Sequence, residues 1–245
     1  MNYRPGFNSI PPVVKNLIIV NVLVYIATLG FERMGINLYT FLGLYFPLSE
    51  NFRLHQIFTH MFMHGGLTHL FFNMFARYMF GRVLEGVWGP KRFLTFYLVT
   101  GIGAAALHSL VNFIEYEYAA SQISPDQVAY VREAGYGLWV EGKNFSDPIL
   151  GKLNMILNTP TVGASGAIFG ILLGFGMLFP NTQLMLLFPP IPIKAKYFVM
   201  GYGAIELFLG VTGMQVSVAH FAHLGGMLFG YFMIKYWNKN SKRFY

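Results

Sequence analysis

Apolar residues run through this 245-residue chain in six long stretches, at roughly 13–31, 60–81, 93–113, 162–180, 196–213 and 219–237. Each is close to the ~20 residues that an α-helix needs to cross the ~30 Å apolar core of a bilayer. The pattern predicts an all-α membrane protein, a single domain over 1–245 with six transmembrane helices. Residues 31–55 are dense in Leu38, Tyr39, Phe41, Leu42, Leu44, Tyr45 and Phe46. That suits an interfacial loop after the first helix better than one in water. Residues 114–159, acidic and carrying Pro125 and Pro148, are the most polar part. They are expected as an extracytoplasmic insertion between the third and fourth spans, with a short helix of its own. The first apolar run lacks a small-residue cleavage site and reads as a retained helix.

Composition agrees with this picture. Only 11% of residues are charged and 55% are hydrophobic, with mean hydropathy +0.48. Soluble domains are nearer a quarter charged. The absence of cysteine excludes disulfides, thiol catalysis and cysteine metal sites. The net charge of +7 comes from scattered residues, too sparse for nucleic acid. With the N-terminus in the cytoplasm, Lys and Arg divide 12 to 5 in favour of that side, Arg4, Arg77, Lys196 and Lys235 among the twelve. The positive-inside rule then places both termini in the cytoplasm of a cell membrane, and the second, fourth and sixth spans descend from outside to inside.

The openings of those three descending spans carry the chemistry. The second contains His60, His64, His69 and Asn73; the fourth begins Gly163-Ala-Ser165-Gly166; the sixth contains His220 and His223. Polar side chains at one membrane depth are costly unless they pair or face water. Gly166, Gly170 and Gly174 form a four-residue stripe, as do Gly226 and Gly230, so the fourth and sixth helices can pack closely. Close packing brings the Ser165 hydroxyl within reach of an imidazole, the minimum for nucleophilic acyl transfer. His69 and Asn73 share one helix face and can donate to an oxyanion, with the Ser165 backbone N–H as a third donor. No Asp or Glu lies early in these three spans, so the expected site is a dyad without an acidic third member.

These residues resemble the rhomboid proteases over nearly the whole six-helix stretch. The match rests on His64, His69 and Asn73, on Gly81 and Glu85, on Gly163, Ser165 and Gly166, and on Ala222, His223, Gly226 and Gly230. The resemblance implies an intramembrane serine endopeptidase with Ser165 as nucleophile, His223 as base, and His69 and Asn73 as oxyanion donors. It makes His64 a structural histidine and Glu85 a polar anchor near the cytoplasmic end of the second span. In the pattern this resemblance implies, glycines follow the catalytic histidine at plus three and plus seven, which fits His223 with Gly226 and Gly230 and not His220. His220 reads as a polar neighbour. Two departures stand out: His55-Gln56 where the family often has Trp-Arg, and Phe169 where many members stack a tyrosine on the catalytic histidine.

The implied partners are single-span membrane proteins entering from the lipid bilayer between the second and fifth spans, under a cap near 214–218. No cofactor, metal or nucleic acid is called for, and the oligomeric state is left open. A metal or haem centre is the rival suggested by His55, His60, His64 and His69, but no His-Glu-x-x-His is present and His108 lies on an oppositely running span. A membrane chaperone on the same scaffold, and a transporter, are the non-enzymatic rivals. Glu206, midway along the fifth span near the gate, is expected as a buried hydrogen-bonding group kept protonated by its apolar surroundings.

Overall fold

A computed structural model describes residues 10–185, 190–213 and 218–240, the last without its Asn240 side chain. Each of the six apolar stretches is helical. The first is α1 (Pro12–Arg33), after which come two short helices, α2 (Leu38–Leu42) and α3 (Gln56–Thr59). The second stretch departs from one continuous helix over 60–81. His60–Phe62 is a single 3₁₀ turn, and α4 (Leu67–Ala76) is joined to α5 (Arg82–Trp88) by a π turn at Arg77–Gly81. Widened turns of this kind reset the facing of the residues that follow. Next comes α6 (Pro90–Ala120), longer than the 93–113 expected: Pro90 starts it at a position where a missing N–H costs nothing, and it runs on to Ala120 into the polar segment.

The 114–159 segment contains more helix than expected. Beyond the end of α6 it forms α7 (Pro125–Val140) and α8 (Pro148–Asn158). Ser124 and Gln127 close a reciprocal capping box at α7, and Asp147 caps α8, each followed by proline in the first turn. Phe46, Tyr116, Val131, Leu153 and Leu157 make a small core of their own beneath these helices. The remaining helices are α9 (Ser165–Leu178), α10 (Ala195–Thr212) and α11 (His220–Asn240), with a two-stranded hairpin of β1 (Gln183–Met185) and β2 (Pro192–Lys194) before α10.

At the centre of the bundle is α9, buried almost throughout from Gly166 to Gly176. On the outer helices the usual polarity is inverted. On α1, Leu23 and Ile26 are more than half exposed while Asn21 and Thr28 are buried. On α10, Phe208 and Val211 face outward while Glu206 is buried. An apolar exterior around buried polar groups is what lipid, as solvent, selects. Among the described residues, α1 and α6 are the helices long and apolar enough to cross a membrane by length and composition, and α9 is apolar but shorter.

Small residues set the helix spacing. A Cβ on Gly226 of α11 would overlap the Gly166 carbonyl of α9, and one on Gly230 would lie 3.5 Å from the Gly170 Cα. The two glycine stripes therefore do meet. Gly225 and Gly103 seat the other side of α11 on α6, a contact the sequence pattern did not single out.

Two polar residues hold the rest in place. Arg77, counted among the cytoplasmic charges from sequence, is fully buried; its Nη2 donates to the Tyr97 hydroxyl at 2.7 Å. It ties the π turn to α6 and is no surface charge in the folded bundle. Gln56 organises the loop before it. Its Oε1 accepts from the Tyr45 and Arg53 amides, and its Nε2 donates to the Thr40 and Asn51 carbonyls. Where the family often has Trp-Arg, a buried amide performs the tethering here, while His55 Nε2 contacts the Phe41 carbonyl at 2.7 Å.

Candidate active site

Ser165 is the first residue of α9, so its own N–H is one of the amides that the helix leaves unpaired. The chain enters through Gly163, at φ +129°, a conformation that disfavours any side chain. A Cβ there would also come within 2.9 Å of His69 Cε1 and 3.5 Å of Ser165 Oγ. The Gly163 amide donates to the His60 carbonyl at 2.9 Å, which ties this entry to the turn before α4.

His223, in the first turn of α11, places its Nε2 2.8 Å from Ser165 Oγ. Phe169, one turn along α9 from Ser165, lies flat on the imidazole, with centroids 4.1 Å apart and planes 5° from parallel. Tyr202 of α10 stacks behind Phe169 at 5.1 Å. This stack, pressed on one face of His223, fixes its ring plane for the bond to Ser165.

His69 stands across from them on α4. The Gly65 amide donates to its Nδ1 at 3.4 Å, which assigns the ring proton to Nε2, the edge that lies against Gly163 beside Ser165. A neutral imidazole presenting N–H here is an oxyanion donor. Asn73 is placed differently. It is buried, its amide donates to the His69 carbonyl at 2.9 Å, and it is not among the cavity-lining residues described below. His64 is buried edge-on against His69, ring centroids 5.0 Å apart, and its carbonyl accepts from the Tyr39 hydroxyl. Glu85 is not near these groups. Its carboxylate accepts the Val13 and Val14 amides at the start of α1.

A cavity of about 710 Å³ opens above the pair, lined by Ser165, His223, His69, His220 and His108, and walled by Lys152, Met155 and Ile156 of α8. The insertion is thus part of the site's wall. His108, set aside from sequence because α6 runs the other way, reaches the same cavity, with Asn112 3.3 Å from its Nε2. Helices of opposite direction share a depth midway along their lengths, which order of residues alone does not reveal.

The expectation of a pair with no acidic neighbour needs correcting. Glu206 Oε2 lies 2.7 Å from His220 Nδ1 and 2.9 Å from His223 Nδ1. Among the described residues these three also bring metal-ligand atoms within 4.8 Å of one another, so they are the group that could hold an ion. The seven histidines do not otherwise converge into such a group.

The fold and site together define a helical membrane protein with a partly buried serine–histidine pair in the wall of a cavity that several histidines also line. The chain belongs to the rhomboid family, whose members are generally intramembrane serine proteases: the Rhomboid domain matches residues 51–239. It is 28% identical over 177 residues to the Rhomboid protease AarA of Providencia stuartii, covering 69% of this chain and 51% of that one. It is 28% identical over 220 residues to the RHOMBOID-like protein 12, mitochondrial, of Arabidopsis thaliana, covering 87% and 55%. With Rhomboid protein 1, mitochondrial, of Saccharomyces cerevisiae it shares 25% over 249 residues, covering 97% and 60%. The chain spans about half the length of the curated relatives it matches.

Proposed function

We propose that this protein is an intramembrane serine endopeptidase that cleaves single-span membrane proteins in or near their spanning helices. The observation that carries the proposal is the 2.8 Å approach of Ser165 Oγ to His223 Nε2 at the wall of a cavity large enough to admit water and a substrate segment. As a substrate carbonyl arrives, Ser165 Oγ attacks its carbon while the hydroxyl proton passes to His223 Nε2. The oxyanion takes hydrogen bonds from the Ser165 N–H and His69 Nε2–H, with Asn73 acting through the His69 carbonyl it braces. Collapse breaks the peptide C–N bond, and the same Nε2 proton goes to the leaving amine; water then releases the acyl group by the reverse sequence. No cofactor enters any step.

The reading includes six membrane crossings, both termini in the cytoplasm of a cell inner membrane, and a site open to the outer side. The length of α9 supports the placement of the site. Its 14 residues extend about 21 Å. That is shorter than the ~30 Å apolar core, so with its far end at the cytoplasmic face Ser165 lies below the outer surface, where water must come through the cavity. The gate lies between α4–α5 and α10. Of the cap near 214–218, only Val218 falls within the described residues. Because a helical substrate hides its carbonyls in its own hydrogen bonds, substrates with helix-weakening Gly or Pro are cleaved best.

The test is cleavage of a tagged single-span substrate by purified protein in liposomes, beside Ser165→Ala and His223→Ala. Wild-type cleavage lost in both folded variants, and undisturbed by EDTA, is the expected result. Failure of folded wild type on several helix-weakened substrates would move the assignment to a non-proteolytic membrane factor on the same scaffold.

A further inference from the structure

On the side of His223 away from Ser165, a two-residue mechanism leaves a polar cluster unused. Glu206 sits in the middle of α10, only 6% exposed, and its partners His220 and His223 are 5% and 8% exposed. The face of α10 that carries Glu206 is pressed against α11. Cβ atoms on Gly203 and Gly210 would touch Met227 and, at 3.2 Å, the Cβ of His220. Gly203, Glu206 and Gly210, spaced by three and four, thus form one seam along which a buried carboxyl meets two imidazoles. A carboxyl at this depth is costly unless it is paired and hydrogen-bonded.

From this arrangement we infer that Glu206 is a positioning residue for the nucleophile–base pair, holding the Nδ1 proton of His223 so that Nε2 is left as the acceptor for Ser165. The inference rests on the proteolytic reading given above. His220 anchors the carboxylate through an in-line hydrogen bond at 2.7 Å. The contact to His223 Nδ1 is as short, 2.9 Å, but lies off that nitrogen's donor direction. A small rotation of the carboxylate straightens it, in the manner of catalytic hydrogen bonds that align only when substrate is bound. When His223 takes the serine proton at Nε2, the ring becomes an imidazolium and the carboxylate beside Nδ1 offsets its charge. Glu206 keeps its protonation state throughout, and the proton leaves from Nε2 to the amine. The tautomer and the imidazolium are held as in an aqueous triad, with the carboxylate supplied by a neighbouring membrane helix.

A carboxyl that merely pinned α10 to α11 would be replaced well by glutamine, which keeps the shape and an acceptor. The experiment compares wild type, Glu206→Gln, Glu206→Asp and Ser165→Ala by substrate cleavage and by the rate of Ser165 labelling with a fluorophosphonate. Glu206→Gln is expected to lower kcat and the labelling rate together by about 10- to 100-fold, with KM within about twofold and melting unchanged. Glu206→Asp, keeping the charge at shorter reach, falls in between. Wild-type kcat and labelling in Glu206→Gln would overturn the inference while leaving the protease reading intact. If Glu206→Gln does not fold, Glu206→Met of similar length replaces it, and a folded Met variant that labels at the wild-type rate overturns the inference equally. Folded wild type that neither cleaves nor labels overturns the proteolytic reading, and this inference with it.

Discussion

The carboxylate of Glu85 receives the backbone N–H groups of Val13, at 3.0 Å, and Val14, at 2.8 Å, and so closes the start of a helix 71 and 72 positions earlier in the chain. Pro11 and Pro12 have no N–H to offer, and the Lys15 amide already bonds the Pro11 carbonyl. The two amides that α1 leaves over are the two that Glu85 takes. A negative charge at a helix N-terminus adds a favourable interaction with the helix dipole.

Glu85→Ala therefore strands two amides, one of them fully buried, in a place where water is scarce. Hydrogen bonds to a charged group are worth ~1.5–3 kcal/mol each in favourable cases, and they share one carboxylate here. A loss of ~2–4 kcal/mol is expected in reversible unfolding in mixed micelles, with Glu85→Gln losing roughly half as much. Retention of the Ser165–His223 labelling chemistry in whatever fraction stays folded would separate this anchoring role from catalysis.

Gly226→Ala puts a methyl group onto the Gly166 carbonyl and forces α11 away from α9. Overpacking of this kind costs ~1–3 kcal/mol. A shift of even 1 Å between Ser165 and His223 slows reaction on the order of 100-fold. Activity should fall far more than stability. Gly86→Ala in α5 is the control, since nothing lies within 4 Å of a Cβ there; its melting should hold or rise slightly, as alanine favours helix over glycine.

Gln56→Ala removes all four hydrogen bonds of the loop tether and leaves the buried Tyr45 amide without its partner. Unsatisfied buried groups cost ~1–3 kcal/mol each, partly relieved where the loop can reach water. The change should show first as local opening. Limited proteolysis between 40 and 56 is expected to speed up at least about tenfold, which corresponds to ~1.4 kcal/mol of opening free energy, while the helices melt within a few degrees of wild type.

Phe169→Leu keeps an apolar side chain of similar bulk but removes the ring that lies flat on His223. Aromatic stacking is worth ~0.5–1.5 kcal/mol beyond area, and if the base is held that much less well, kcat falls about 3- to 10-fold with KM little changed. Equal kcat in the leucine variant would show that the ring only fills space.

Much of the site could be read in the chain because three helices of one direction begin with polar residues at the same depth. Helical spacing put Ser165 and His223 beside their glycine stripes, and His69 one turn before Asn73. The caps of the insertion were equally open to reading: Ser124-Pro125 with Gln127, and Asp147-Pro148, are start signals. Glu206 and His108 were harder. Both stand on helices of opposite direction, whose height against α9 and α11 depends on crossing angle and offset, and neither quantity is written in residue order. Only the Gly203–Glu206–Gly210 spacing hinted at which face of α10 turns inward. Gln56 was harder still, because its partners are backbone groups that come together only once the loop is folded.

Composition and period were enough to mark this chain as helical and lipid-facing, and the positions of its serine, histidines and glycines were enough to name a candidate serine–histidine pair. These are local properties, dictated by what side chains cost in lipid and by 3.6 residues per turn. What required the assembled bundle was everything that depends on distance between helices: the 2.8 Å approach of Ser165 to His223, the carboxylate of Glu206 behind it, and the wall that α8 adds to the cavity. Packing of whole surfaces sets those distances, and no single segment contains them.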